Sequence, residues 1–152
     1  MPDPDSPMAA ALAAAKSAAE LDEVPVGAVI VDPGTGRILA AGGNLVEASN
    51  DPTAHAEIVA IRNACATLGQ PRLDGYDLYV TLEPCAMCAQ AIAHARLRRL
   101  YFGAYDPKGG GVEHGARVFD RETCHHRPEI YGGIREAEAS ELLRDFFRSR
   151  RD

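Results

Sequence analysis

Two short stretches hold residues that can do chemistry together: Asp51-Pro52-Thr53-Ala54-His55-Ala56-Glu57 and Thr81-Leu82-Glu83-Pro84-Cys85-Ala86-Met87-Cys88. They supply one imidazole, two thiolates and one spare carboxylate, which is a zinc ligand set with a base beside it. Cys85 and Cys88, three apart, share one face of a helical turn, and zinc accepts a mixed sulfur and nitrogen set at tetrahedral angles. Three protein ligands leave a fourth position for water, whose pKa a bound metal brings down toward about 7. Glu57 then serves as the group that takes the water's proton and returns it to a ring nitrogen and to a leaving amine. That chemistry is hydrolytic deamination.

The elements that must position these groups are legible around them. Pro84 is expected at the first helical position, where its missing N–H costs nothing, and Asp51-Pro52 reads the same way with Asp51 as the cap. Both halves of the site therefore fall at helix N-termini, where unpaired N–H groups favour the thiolate forms of Cys85 and Cys88. His-x-Glu followed by Pro-Cys-x-x-Cys, with the carboxylate off the metal, is the known signature of zinc nucleobase deaminases, so this reading is recognised from the motif rather than found afresh. Two other readings stand beside it: a purely stabilising zinc knot, and a shell closed by Cys124 or His125 from the Cys124-His125-His126 run.

The 152 residues suit one domain with a sizeable core, and residues 1–152 are read as a single unit with 1–6 frayed. Hydrophobic residues at 46% and charged residues at 25% exclude fibrous and disordered classes. Four cysteines, two claimed by metal, leave no disulfide framework, so a reducing cytoplasm is expected. The Ala-rich run 8–15 is preceded by Asp3 and Asp5 where a leader would carry positive charge, and no apolar run reaches the roughly 18 residues of a membrane span. The net charge of −6 is uneven: residues 1–95 hold 4 Lys/Arg against 12 Asp/Glu, residues 96–152 hold 12 against 10. The basic groups gather at Arg96, Arg98 and Arg99 and at Arg144, Arg148, Arg150 and Arg151, which suits either a patch for a compact RNA feature or solvated helix ends.

In chain order, alanine content predicts a helix over 8–20, and the β-branched run Val24–Val31 predicts a central strand beginning at Pro25. Turn residues 32–36 lead to a partner strand over 37–42, then a loop over 45–50. Asn44 is either a turn residue or a donor and acceptor reaching into a pocket. A helix over 52–68 is expected to bury Ile58, Ile61, Ala64, Cys65 and Leu68. Strands over 77–82 and 99–104 flank a helix from Pro84 to Ala95, a right-handed parallel unit that sets the ligands at the sheet's carboxyl edge. The glycine-rich 105–111 reads as a flexible loop, 112–127 as a candidate lid, 128–134 as an edge strand, and 136–151 as a final helix with Leu142, Leu143, Phe146 and Phe147 inward. This order predicts an α/β fold: a three-layer α/β/α sandwich around a mixed, roughly five-stranded sheet.

From about residue 20 to 151 the chain resembles the bacterial tRNA-specific adenosine deaminases, the TadA family within the cytidine deaminase-like superfamily. The resemblance rests on Glu23-Val24-Pro25-Val26-Gly27-Ala28-Val29, on the two site stretches, and on Asp145-Phe146-Phe147-Arg148. It implies a homodimer with one zinc per subunit, acting without an organic cofactor on the wobble adenosine in the anticodon stem-loop of an arginine tRNA. It assigns zinc to His55, Cys85 and Cys88 and proton transfer to Glu57. It also assigns the base's hydrogen bond to Asn44, packing to Val26 and Pro84, backbone contacts to Ala56 and Cys85, and RNA contacts to Asp106 and Lys108. The segment Lys108-Gly109-Gly110-Gly111-Val112-Glu113 departs from the Lys-Thr-Gly-Ala many members carry. Rival readings are a deaminase of free bases or nucleosides such as guanine or cytosine, and a non-catalytic RNA-binding zinc domain.

Overall fold

The computed structural model describes residues 5–150. Helix α1 (Asp5–Glu20) leads to strand β1 (Gly27–Val31), which turns into β2 (Ile38–Gly43). The turn is closed by Asp32, whose Oδ1 accepts from the Gly34 amide and whose carbonyl accepts from Gly36. A four-residue helix, α2 (Val46–Ser49), and α3 (Ala56–Leu68) follow. Next come β3 (Asp77–Leu82), α4 (Ala86–Ala95), β4 (Arg99–Ala104), a 3-10 turn (Val118–Asp120), β5 (Glu129–Tyr131) and α5 (Glu136–Ser149).

The five strands lie in the order β2-β1-β3-β4-β5. β1 is antiparallel to β2 and β3, while β3, β4 and β5 run parallel, so the sheet is mixed as expected. Side-chain alternation along the strands sorts the core into two faces. Ala28, Ile30, Leu78, Val80, Leu100 and Phe102 meet Ala56, Ala60 and Ala64 of α3 and Ala89 and Ile92 of α4. Val29, Val31, Tyr79 and Tyr101 meet Met8, Ala11 and Leu12 of α1 and Ala139 of α5 on the other. The small residues let the helices approach closely. A Cβ on Gly27 would lie 2.0 Å from the Ala11 carbonyl oxygen, so the backbone of α1 rests on the start of β1.

Several expectations are corrected. Of the supposed frayed start, residues 1–4 lie outside the described residues, and the helix already includes Asp5. The central strand begins at Gly27, two residues after Pro25, and the loop 45–50 contains α2. α3 starts at Ala56 rather than at residue 52, because Asp51 spends its side chain on Thr53: Oδ1 accepts from both the Thr53 amide, at 2.9 Å, and the Thr53 hydroxyl, at 2.7 Å. That is a local turn competing with helix initiation. The buried stripe of α3 is Ala56, Glu57, Ala60 and Ala64, with Ile61, Cys65 and Leu68 packed at its margin and Ile58 outside it. In α5, Phe146 is buried but Phe147 is 49% exposed.

Candidate active site

The carboxyl end of β3 and the N-termini of α3 and α4 converge on one point. His55 is the N-cap of α3 and Cys85 the N-cap of α4, both with extended backbone (φ −69°, ψ 155° and φ −72°, ψ 175°). Pro84 therefore precedes the cap instead of opening the helix. Cys88 follows one turn into α4 and is fully buried. His55 Nδ1 lies 3.6 Å from Cys85 Sγ and 3.6 Å from Cys88 Sγ, and the three donor atoms all fall within 4.8 Å of one another.

That spacing tests whether zinc fits. Zn–N of about 2.0–2.1 Å and Zn–S of about 2.3 Å at a tetrahedral angle place N and S about 3.6 Å apart. The donor set and its spacing are those of a three-ligand zinc site. Among the described residues, no fourth side chain joins the cluster. The Cys124 thiol instead donates to the His126 carbonyl, the His126 ring pairs with the Leu97 carbonyl, and His125 lies with His94 and Arg96 around a separate hollow.

The two thiols are electrostatically unequal. The Cys85 thiol is pulled down to about 5 by the Cys88 side chain, against the cost of its burial, with further help from the Cys88 amide and His55. Cys88 is pushed upward, by its interaction with the Cys85 thiolate and by burial, as expected when two thiols share one proton. Glu57, in the first turn of α3, is 4% exposed. Burial pushes its carboxyl up to about 7, and the charge on Cys85 adds to this.

Beside these groups lies a cavity of about 300 Å³. This is at the small end of ligand cavities and suits a single heterocycle. Val26, Asn44, Ala56 and Asp106 line it with His55, Glu57 and Cys85, as do Val24, Leu82, Glu83 and Gly109, which the sequence had not singled out. Pro84 and Lys108 are not in its lining. Pro84 is buried with its carbonyl accepting from the Gly111 amide at 2.8 Å, and Lys108 is exposed. Asn44 sits at a turn and also lines the cavity. Its Oδ1 accepts from the Val46 amide at 3.4 Å.

Two buried carboxylates hold the cavity walls and were missed. Glu23 accepts from the amides of Glu47 and Ala48, pinning α2 beside Asn44. Glu83 gathers the segment 106–114, which is thereby anchored rather than a loose lid, while Val118 and Phe119 enter the core. For Glu83 the available signal was an acidic residue directly after an otherwise buried strand; Glu23, four residues ahead of β1, had no such mark. Most of the basic groups are paired: Arg98 with Asp77, Arg99 with Glu129, Arg148 with Asp145 and Arg150 with Asp22. Among the described residues, no helix is long and apolar enough to cross a membrane.

The mixed sheet, the His/Cys/Cys donor set at two helix N-termini and the buried carboxylate beside it define the class: a cytidine deaminase-like hydrolase domain with a donor group fit to hold a metal ion. Residues 1–104 match the family described as the cytidine and deoxycytidylate deaminase zinc-binding region. A tRNA-specific adenosine deaminase of Agrobacterium fabrum (strain C58) is 60% identical over 144 residues, covering 95% of this chain and 93% of the relative. A solved structure from work on A-to-I editing by tRNA:A34 deaminases at the wobble position of transfer RNA superposes with a TM-score of 0.88 at 59% identity, covering 91% and 99% of the two chains. A guanine deaminase from Bacillus subtilis superposes at 0.66 with 34% identity, covering 86% and 85%. The chain belongs to the tRNA-specific adenosine deaminases.

Proposed function

We propose that this chain, as one domain and as a cytoplasmic homodimer, hydrolyses the wobble adenosine of an arginine tRNA to inosine, with one zinc per subunit held by His55, Cys85 and Cys88. The observation that carries the reading is Glu57: a carboxylate buried against the donor set, absent from the ligand cluster, and facing a cavity sized for one base. Zinc, when bound, supplies a polarised water of lowered pKa. Glu57 would take a proton from the attacking water as the water's oxygen bonds to C6 of adenine, and would deliver it to N1. It then carries the second proton to the amino group as the C6–N bond breaks, so that adenosine and water leave as inosine and ammonia. A carboxyl held near 7 is matched to both halves of that transfer at neutral pH.

Asn44 is assigned the hydrogen bond to the base and Val26 and Val24 the apolar contact with it, a reading supported by all three lining the cavity. Asp106 at the cavity margin and Lys108 in solvent are assigned to the flanking RNA. A base in a single-stranded loop reaches such a cavity at small unstacking cost.

The test is ammonia release from an anticodon stem-loop beside free guanine, cytosine and adenosine. Turnover of the stem-loop with inert free bases is expected. Turnover of guanine with an inert stem-loop would transfer the chain to the free-base reading, which its likeness to a guanine deaminase keeps in contention.

A further inference from the structure

Glu83 is fully buried at the end of β3, two residues before the N-cap of α4, and no step above uses it. Its Oε1 lies 3.0 Å from the Asp106 amide and 2.8 Å from His114 Nδ1. Its Oε2 accepts from the amides of Val112 at 3.2 Å, Glu113 at 2.9 Å and His114 at 3.1 Å. All five partners come from one segment, 106–114, and that segment brings Asp106 and Gly109 to the cavity wall.

The fit is close. A Cβ on Gly110 would lie 2.5 Å from Glu83 Oε2 and 2.5 Å from the Asp106 carbonyl oxygen, so glycine lets the loop close down on the carboxylate. A neutral isostere cannot replace it, because either orientation of an amide sets an NH₂ against backbone N–H groups. The far end of the segment is held independently, by Val118 and Phe119 in the core. Val112 also packs in the core and the Gly111 amide donates to the Pro84 carbonyl, so loosening the carboxylate relaxes the segment around these two holds without opening the sheet.

We propose that Glu83 is a positioning residue for the RNA substrate: it fixes segment 106–114 as one wall of the base cavity so that Asp106 and Lys108 meet the strand flanking the base. The substrate's identity rests on the function proposed above; the anchoring does not. Glu83→Gln removes the acceptor pair from one side of the contact, and Gly110→Ala displaces the loop from the other. In both zinc-loaded variants the metal content stays at the wild-type level, and the amides of Asp106, Val112, Glu113 and His114 lose hydrogen-exchange protection. kcat/KM on the stem-loop falls about tenfold or more, chiefly through KM. Glu83→Asp, which keeps both acceptors, recovers part of the loss. Retained protection with unchanged KM, or activity lost only in step with zinc, overturns the proposal. A wild type inert on the stem-loop sinks the tRNA reading and the RNA part of this one, while the exchange pattern still decides the anchoring.

Discussion

His55 Nδ1 stands 3.6 Å from Cys85 Sγ, and the two residues occupy the same position, the N-cap, of two different helices. Thirty residues of chain separate them, yet the arrangement aims both donors, and the positive ends of both helices, at one point. The convergence also sets the Cys88 side chain, one turn into α4, beside Cys85, and it is this neighbour that most lowers the Cys85 thiol.

Removing one donor tests it. Cys88→Ala, which deletes the fully buried ligand, is expected to lose both zinc and deamination, and chelation of the wild type is expected to lower its melting temperature because metal binds the folded donor set. Elemental analysis and thermal unfolding read both. Stoichiometric zinc in Cys88→Ala would falsify the ligand assignment.

Glu57→Gln separates binding metal from moving protons. The variant is expected to hold zinc at the wild-type level while kcat drops by about 10²–10⁴, the usual worth of a general acid–base group. Zinc content and single-turnover inosine formation are the measurements. Full activity in this variant would take Glu57 out of the mechanism.

The contact of α1 on β1 predicts a stability effect far from the chemistry. Gly27→Ala sets a methyl 2.0 Å from the Ala11 carbonyl oxygen and 2.5 Å from the Ala15 amide, so the helix must shift. A loss of about 1–3 kcal/mol is expected, or about 2–4 °C in melting temperature per kcal/mol. A variant as stable as the parent would mean that α1 does not pack there in solution.

Asp51 predicts a pH dependence. Hydrogen bonds from the Thr53 hydroxyl and amide hold its carboxyl below the ordinary value of 3.8. A depressed acid contributes stability that is present above its unfolded-state value and is lost as pH falls through the lower folded-state one. The melting-temperature gap between wild type and Asp51→Ala should thus stay constant from pH of about 7 to 5 and close below about 4. Taking the difference cancels the acid loss of the zinc ligands, common to both proteins. A gap that widens in acid would contradict the assignment.

How far the sequence reached varied with the element. β3 and β4 were read residue for residue, because each is a short, largely apolar run with aromatic residues, Tyr79 in one and Tyr101 and Phe102 in the other, bounded by turn or loop residues. The start of α3 was misplaced by four residues, because the proline rule describes a helix opening but not the Asp51–Thr53 turn that outbids it. Phe147 was assigned inward on helical period together with Leu142, Leu143 and Phe146; Leu142 and Leu143 pack against the core and Phe146 is buried, but Phe147 is left half exposed.

By themselves the residues determined the donor set, an imidazole, two thiols and one spare carboxylate in the spacing of a known deaminase motif, because donor chemistry belongs to the side chain wherever it lies; that no fourth side chain closes the cluster, among the described residues, took the structure. Tertiary structure alone decided which neighbours share the cavity. It brought in Glu83, Val24 and Leu82, left Pro84 and Lys108 out, and turned a glycine-rich loop into an anchored wall. The reason is physical. Metal affinity is written in residue type, whereas burial and hydrogen-bond satisfaction are settled between segments far apart in the chain, where local pattern carries no information.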